Sequence, residues 1–241
     1  MHPDPRRRLE IEHGLERVRE RITKACEDAG REPAEITLIV ITKYFPAEDV
    51  VALHQLGVRD IGENKDQEAG AKIRAVREHL TEAGAPDLTL HFVGQLQSNK
   101  AGHVAAYADV IHSVDRPKLV TALSKGAEAA GRTVDVLIQV SLDGETGRGG
   151  ALPEAAEALA EAIEAQPRLR LRGVMAVAPL GADADESFAR LSEVAGGLRD
   201  RHPQATWVSA GMSGDLEAAI RHGATHLRVG TAILGSRPSL L

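Results

Sequence analysis

A chain of 241 residues that is 43% hydrophobic but only 2% aromatic buries an aliphatic core and offers few stacking platforms for bases or sugars. Its formal net charge of −6 argues against a nucleic-acid surface, whereas a small phosphorylated ligand needs only a few local donors and stays open. The single cysteine, Cys26, excludes an internal disulfide and a cysteine-based metal cluster, as expected in a reducing, cytoplasmic compartment. No apolar run approaches the roughly 18 residues of a membrane span, and Arg6, Arg7 and Arg8 run into acids rather than an apolar signal core.

In chain order, Leu9, Ile11, Leu15, Val18 and Ile22 form the stripe of an amphipathic helix that Gly30 ends, with Cys26 on its core side. Ile36 to Lys43, ITLIVITK, is apolar on both faces, the pattern of a strand covered by helices on both sides. Pro46 opens the next helix, Glu48 and Asp49 complement its first turn, and Gly57 closes it. The alternation then repeats. Strands are expected at Val58–Ile61, Leu88–Val93, Val110–Val114, Val134–Ser141, Leu171–Val177, Thr206–Ser209 and His226–Val229. Helices fill the intervals, one capped by Ser98 and the next by Asp115, another running from about Pro153 to Ala165.

Residues 36–241 thus divide into eight strand–helix units of roughly 26 residues each. The count points to an α/β protein, one (β/α)8 TIM barrel over residues 1–241 with an extra N-terminal helix. A doubly wound open sheet lacks support, because no G-x-G-x-x-G follows the first strand.

In a barrel the C-terminal ends of the strands share one rim, so polar residues there converge from distant positions. Lys43 closes strand one, Asn64 follows strand two, His91 and Gln95 flank the end of strand three, Ser209 ends strand seven, and Arg228 lies in strand eight. A lysine at the rim of a buried sheet is the kind of amine that, once desolvated, attacks a carbonyl carbon, so Lys43 is a Schiff-base candidate. The loops after strands seven and eight, where barrels hold phosphate, read GMSGD and RVGT, with Ser213, Gly230 and Thr231 as donors. A reactive lysine opposite a phosphate cup suits an aldehyde that carries a phosphate, and pyridoxal phosphate fits. Arg228 would face its ring nitrogen, and because arginine can only donate, that nitrogen would stay unprotonated.

These segments resemble the pyridoxal phosphate homeostasis proteins, single-barrel relatives of the N-terminal domain of alanine racemase and the fold-type III decarboxylases. The resemblance spans ITK at Lys43, GEN at Gly62 to Asn64, HFVGQLQSNK at His91 to Lys100, GVMAV at Gly173 to Val177, SAGMSGDLEAAI at Ser209 to Ile220 and RVGTAILG at Arg228 to Gly235. It implies a pyridoxal phosphate internal aldimine on Lys43, Arg228 at the ring nitrogen, and Ser213, Gly230 and Thr231 at the phosphate. Asn64, Met175 and Ser209 would line the ring pocket, and Lys65 stands where an aromatic residue often follows GEN.

A two-base racemase needs an acid/base group on each face of the cofactor, and the second domain that supplies it in larger relatives is expected to be absent, since the chain stops ten residues after Thr231. Tyr44 and Tyr107 are the only tyrosines; Tyr107 is placed on a helix, so Tyr44 or a dimer partner would have to serve. The resemblance implies a cytoplasmic protein, monomer or weak dimer, that buffers and delivers the cofactor to pyridoxal phosphate-dependent apoenzymes without robust catalysis. Alternatives are a low-efficiency racemase or decarboxylase, a cofactor-free Schiff-base aldolase on a phosphosugar, and a metal-dependent barrel enzyme. Ten histidines without H-x-H or H-E-x-x-H spacing give no metal site. His91 and His112 read as separate core or pocket-wall residues, and Arg148 in the loop DGETGRGG as part of a solvated turn.

Overall fold

The computed structural model describes residues 1–145 and 149–236. Its strands are β1 (Thr37–Ile41), β2 (Asp60–Glu63), β3 (Thr89–Phe92), β4 (Val110–Val114), β5 (Val134–Gln139), β6 (Leu169–Met175), β7 (Trp207–Ser209) and β8 (His226–Val229). They pair in parallel and in sequence order, and β1 also pairs with β8, which closes the barrel. Closure leaves no free strand edge. The (β/α)8 reading is therefore correct, and the open sheet is excluded.

Helices cover the outside: α1 (Pro5–Asp28), α2 (Ala47–Gln55), α3 (Asp66–Glu82), α4 (Ser98–Ala105), α5 (Pro117–Ala129), α6 (Ala156–Glu164), α7 (Ala184–Arg201), α8 (Leu216–Arg221) and the single turn α9 (Thr231–Leu234). The extra helix α1 buries Ile11, Leu15, Val18, Ile22 and Cys26, while Leu9 is half exposed. Gly14 allows α1 to lie directly on α9. A Cβ there would fall onto the carbonyl oxygen of Ile233 and come 2.9 Å from its Cα. The helix whose first residue, Thr231, lines the cavity at the barrel mouth is thus held by the first helix of the chain.

Two expected caps belong to other residues. Ser98 is the first residue of α4 and Gln97 its N-cap, a one-residue boundary shift of the usual kind. At α5 the N-cap is Arg116, and the Asp115 carboxylate is engaged elsewhere: it accepts from the neighbouring Arg116 Nη1 at 2.5 Å and from the distant Gly150 amide at 3.2 Å. Asp115 therefore tethers the loop after β5. Strand ends shift by a residue or two, and β1 stops at Ile41, so Lys43 sits in the turn beyond it. Tyr107 lies in the turn that follows α4. Arg148 lies outside the described residues. None of the helices among the described residues is long and apolar enough to cross a membrane.

Candidate functional site

At the C-terminal mouth of the barrel, a cavity of about 300 Å³ is lined by Ile41, Lys43, Tyr44, Phe45, Met212, Ser213, Gly214, Arg228, Gly230 and Thr231. The residues expected at the first, seventh and eighth strand ends therefore share one space, although almost 190 positions separate Lys43 from Thr231. The pairing of β1 with β8, with Val40 opposite Val229, brings those ends together. Gly230 suits this close approach, since a Cβ would come to a tight 3.2 Å from the Ile41 carbonyl oxygen.

Lys43 is partly buried, and no hydrogen bond or ion pair engages its Nζ among the described residues. Its neighbour Tyr44 has φ of 69°, a left-handed backbone that strains a non-glycine residue and is typical of functional turns. Lys65, the residue after GEN, holds its Nζ 4.5 Å from the centroid of the Tyr44 ring, so a cation covers that ring. Below the turn, Glu63 and Lys72 form a buried pair at 2.8 Å. Glu63 Oε1 also accepts from Thr42 Oγ1 at 2.7 Å, and Lys72 Nζ donates to the Thr42 carbonyl at 2.9 Å. Both charges thus clamp the residue preceding Lys43. Lys72 escaped sequence reasoning because it belongs to α3 and meets Glu63 only across the fold.

Arg228 is 5% exposed. Burial lowers its pKa to about 10, with Asp215 acting in the opposite sense, so it is charged at neutral pH. Nη1 donates to Ser209 Oγ at 2.6 Å and Nη2 to the Ala176 carbonyl at 2.8 Å. These two bonds leave further guanidinium N–H groups for the cavity. The backbone amide of Arg228 donates to the Gly211 carbonyl at 2.9 Å, which joins β8 to the GMSGD loop. In that loop Asp215 Oδ1 accepts from the Met212 amide at 2.6 Å, Arg21 Nη2 donates to the Ser213 carbonyl at 3.0 Å, and no backbone carbonyl among the described residues takes the amides of Ser213 or Gly214. Asp215, not Ser213, is the N-cap of α8, which leaves the Ser213 hydroxyl uncommitted.

Three expected pocket residues lie off this lining. Ser209 is fully buried and touches Arg228 and, at 3.0 Å, His112 Nδ1. Met175 packs in the barrel interior with Val110 and Leu137. Asn64 follows β2, and its buried Oδ1 has no hydrogen-bond partner among the described residues. His91 and His112, expected to be separate, meet at 2.9 Å between Nδ1 and Nε2; both side chains turn into the barrel, where sequence separation has no bearing. Among the described residues no group of three or more His, Cys, Asp or Glu side chains could hold a metal ion.

The lining carries two cationic side chains, Lys43 and Arg228, and no carboxylate. Such a space favours an anion, and its lining combines hydroxyls and free amides with a primary amine.

Comparison with known proteins gives concordant results. The family described as "Alanine racemase, N-terminal domain" matches residues 14–238. The pyridoxal phosphate homeostasis protein of Mycobacterium tuberculosis is 43% identical, covering 97% of this chain and 95% of that protein. The pyridoxal phosphate homeostasis protein of Escherichia coli is 40% identical, covering 95% of this chain and 97% of its own. Among solved structures, PipY of Synechococcus elongatus with PLP bound superposes with a TM-score of 0.78 at 33% identity, covering 93% of this chain and all of that one.

Proposed function

The chain belongs to the pyridoxal phosphate homeostasis proteins, within the alanine racemase N-terminal domain family, and on that premise we propose that it binds pyridoxal 5'-phosphate reversibly at Lys43, to buffer and deliver it. One observation carries the reading: Lys43, Arg228 and the Ser213, Gly214 and Thr231 loops line a single cavity that contains no carboxylate. The residues fit the cofactor. Gly214 has open space where a Cβ would stand, room for a phosphate oxygen to approach the backbone. The free Ser213 and Gly214 amides, with the Ser213 and Thr231 hydroxyls, would hold the phosphate, and Gly230 keeps the eighth loop close to β1.

When bound, pyridoxal phosphate supplies an aldehyde that an amine captures reversibly and a ring that withdraws electrons. Lys43 is the amine that captures the cofactor, and the Thr42–Glu63–Lys72 clamp fixes the turn that presents it. Arg228 is positioned to donate to the ring nitrogen. A guanidinium held at about 10 by burial does not release its proton there at neutral pH, which leaves the ring a weaker electron sink and suits carriage better than turnover. Asn64, Met175 and Ser209 belong to the surroundings of the site, with Ser209 acting through Arg228. We read the protein as one domain over residues 1–241, cytoplasmic, a monomer or weak dimer, with apoenzymes that require pyridoxal phosphate as recipients.

The test is a visible spectrum of the full chain mixed with pyridoxal phosphate, before and after borohydride, followed by peptide mapping. An absorbance band that reduction abolishes, with the label on Lys43 and none in Lys43→Ala, is the expected result. A label on another lysine, or no uptake from excess cofactor, would refute the reading.

A second reading, slow racemisation, is favoured by Tyr44, the one titratable group in the lining besides Lys43 and Arg228. It requires exchange of an amino acid's α-proton with solvent that both Tyr44→Phe and Lys43→Ala abolish.

A further inference from the structure

Arg228 is a buried cation with no carboxylate in ion-pair contact among the described residues, and its nearest polar support runs away from the cavity. Ser209 Oγ, which accepts from Arg228 Nη1 at 2.6 Å, lies 3.0 Å from His112 Nδ1. His112 Nε2 lies 2.9 Å from His91 Nδ1, and His91 Nε2 lies 3.0 Å from Asp60 Oδ1. Ser209 ends β7 at the cavity mouth, His112 and His91 are in the middle of β4 and β3, and Asp60 begins β2 at the opposite mouth. The series therefore crosses the barrel from one end to the other. Ser209, His112 and His91 are each no more than 1% exposed.

The two ends set the direction of every bond. A guanidinium can only donate and an ionised carboxylate can only accept. Ser209, already accepting from Arg228, passes its own hydroxyl proton to His112 Nδ1. His112 must then carry its proton on Nε2 and donate to His91 Nδ1, and His91 must carry its proton on Nε2 and donate to Asp60. Each member uses one donor and one acceptor, and both imidazoles are neutral. Reversing the histidine segment would need a second cation, a doubly protonated His91, inside the barrel and would leave the Ser209 hydroxyl proton without an acceptor, which is costly at full burial. Deep burial, together with the nearby His91 and Arg228, holds His112 well below the usual histidine pKa, in keeping with the neutral arrangement.

We propose that Ser209, His112, His91 and Asp60 are positioning residues for the cofactor site: a one-way hydrogen-bond chain through the barrel that orients the Arg228 guanidinium from behind, with Asp60 as its distant terminal acceptor. This rests on the reading that the cavity takes pyridoxal phosphate with Arg228 at the ring nitrogen. An arginine tied at two N–H groups presents its remaining donors in one orientation. Cutting the chain at Ser209 leaves the guanidinium with the Ala176 carbonyl as its remaining tie, which does not fix its plane, and the ring environment changes with it.

The experiment has two arms. The first uses the full chain without cofactor, labelled with ¹⁵N-histidine, at pH 7.5. Expected are Nε2-protonated, neutral His91 and His112 and a nitrogen–nitrogen coupling across the His112–His91 hydrogen bond. An Nδ1-protonated His112, a doubly protonated His91 or the lack of that coupling overturns the chain whether or not any variant folds. The second arm titrates pyridoxal phosphate into the parent, Ser209→Ala, His112→Phe and His112→Gln while the visible band is followed. Ser209→Ala is expected to bind roughly tenfold more weakly, the loss of one hydrogen bond to a charged group. His112→Phe, which keeps the Ser209 bond to Arg228 but leaves the Ser209 hydroxyl free to turn, is expected to bind more weakly than the parent, and both variants to show a displaced band. His112→Gln, which keeps one acceptor and one donor, is expected to restore the parent band. A parent that binds normally while Ser209→Ala and His112→Phe match it in affinity and band sinks the positioning role alone. A parent that takes up no cofactor sinks the functional reading and this role with it.

Discussion

Single residues at this site owe their roles to what holds them. Glu63 and Lys72, whose side chains are 1% and 11% exposed, are a buried pair that grips Thr42 from both its hydroxyl and its carbonyl. Removing one partner leaves an uncompensated buried charge, so Lys72→Met should destabilise the protein by about 3 to 5 kcal/mol. Lys72→Met combined with Glu63→Leu should recover much of that loss in a urea titration, because the remaining charge has gone. If the clamp also presents Lys43, the double variant should fold and still take up pyridoxal phosphate more slowly than the parent. That Lys43, Ser213, Arg228, Gly230 and Thr231 line the barrel mouth could be read from sequence because each lies near a strand end or in a glycine loop, where local pattern predicts rim placement. The histidine pair could not, since the contact of His91 with His112 depends on which way two separate strands turn their side chains.

Between elements, close packing and charge pairing decide where helices lie. Gly14→Ala would drive a Cβ into the backbone of Ile233 and should cost about 1 to 3 kcal/mol by denaturant titration. It should also weaken cofactor binding, because Thr231 opens the displaced α9. At the far side of the barrel, His202 follows α7 and lies 3.2 Å from Glu157 and 3.0 Å from Glu164 of α6. Desolvation pulls its pKa down, but the two glutamates outweigh that and raise it above 6.5. The sign follows: a raised folded-state value contributes stability that is complete below about pH 6.5 and is lost as pH rises through the folded value. Accordingly, the urea midpoint should fall between pH 6 and pH 8.5 more steeply in the parent than in His202→Gln. Helix existence was plain from the apolar stripes, yet the caps at Ser98 and Asp115 were misread. An acidic side chain before a helix reads as a cap until a distant donor, here the Gly150 amide, claims it.

For the whole molecule, ligand and fold are linked. Binding that selects the folded state adds about 2.7 kcal/mol of stability at a hundredfold excess over the dissociation constant. Pyridoxal phosphate should therefore raise the thermal midpoint of the parent and leave that of Lys43→Ala nearly unchanged, measured by differential scanning calorimetry. The barrel itself was legible because eight apolar strands alternating with amphipathic helices at near-regular spacing admit few architectures, and the parallel sheet they imply buries both its faces. Local chemistry thus determined the number of units, the rim residues and the ligand class. Tertiary structure alone decided that the first and eighth strands close against each other to make one cavity, that Lys72 meets Glu63, and that a hydrogen-bonded series leads from Arg228 to Asp60. The physical reason is that periodicity and turn residues act over a few positions, whereas side chains brought together inside a closed barrel are set by register and by the direction each strand points them.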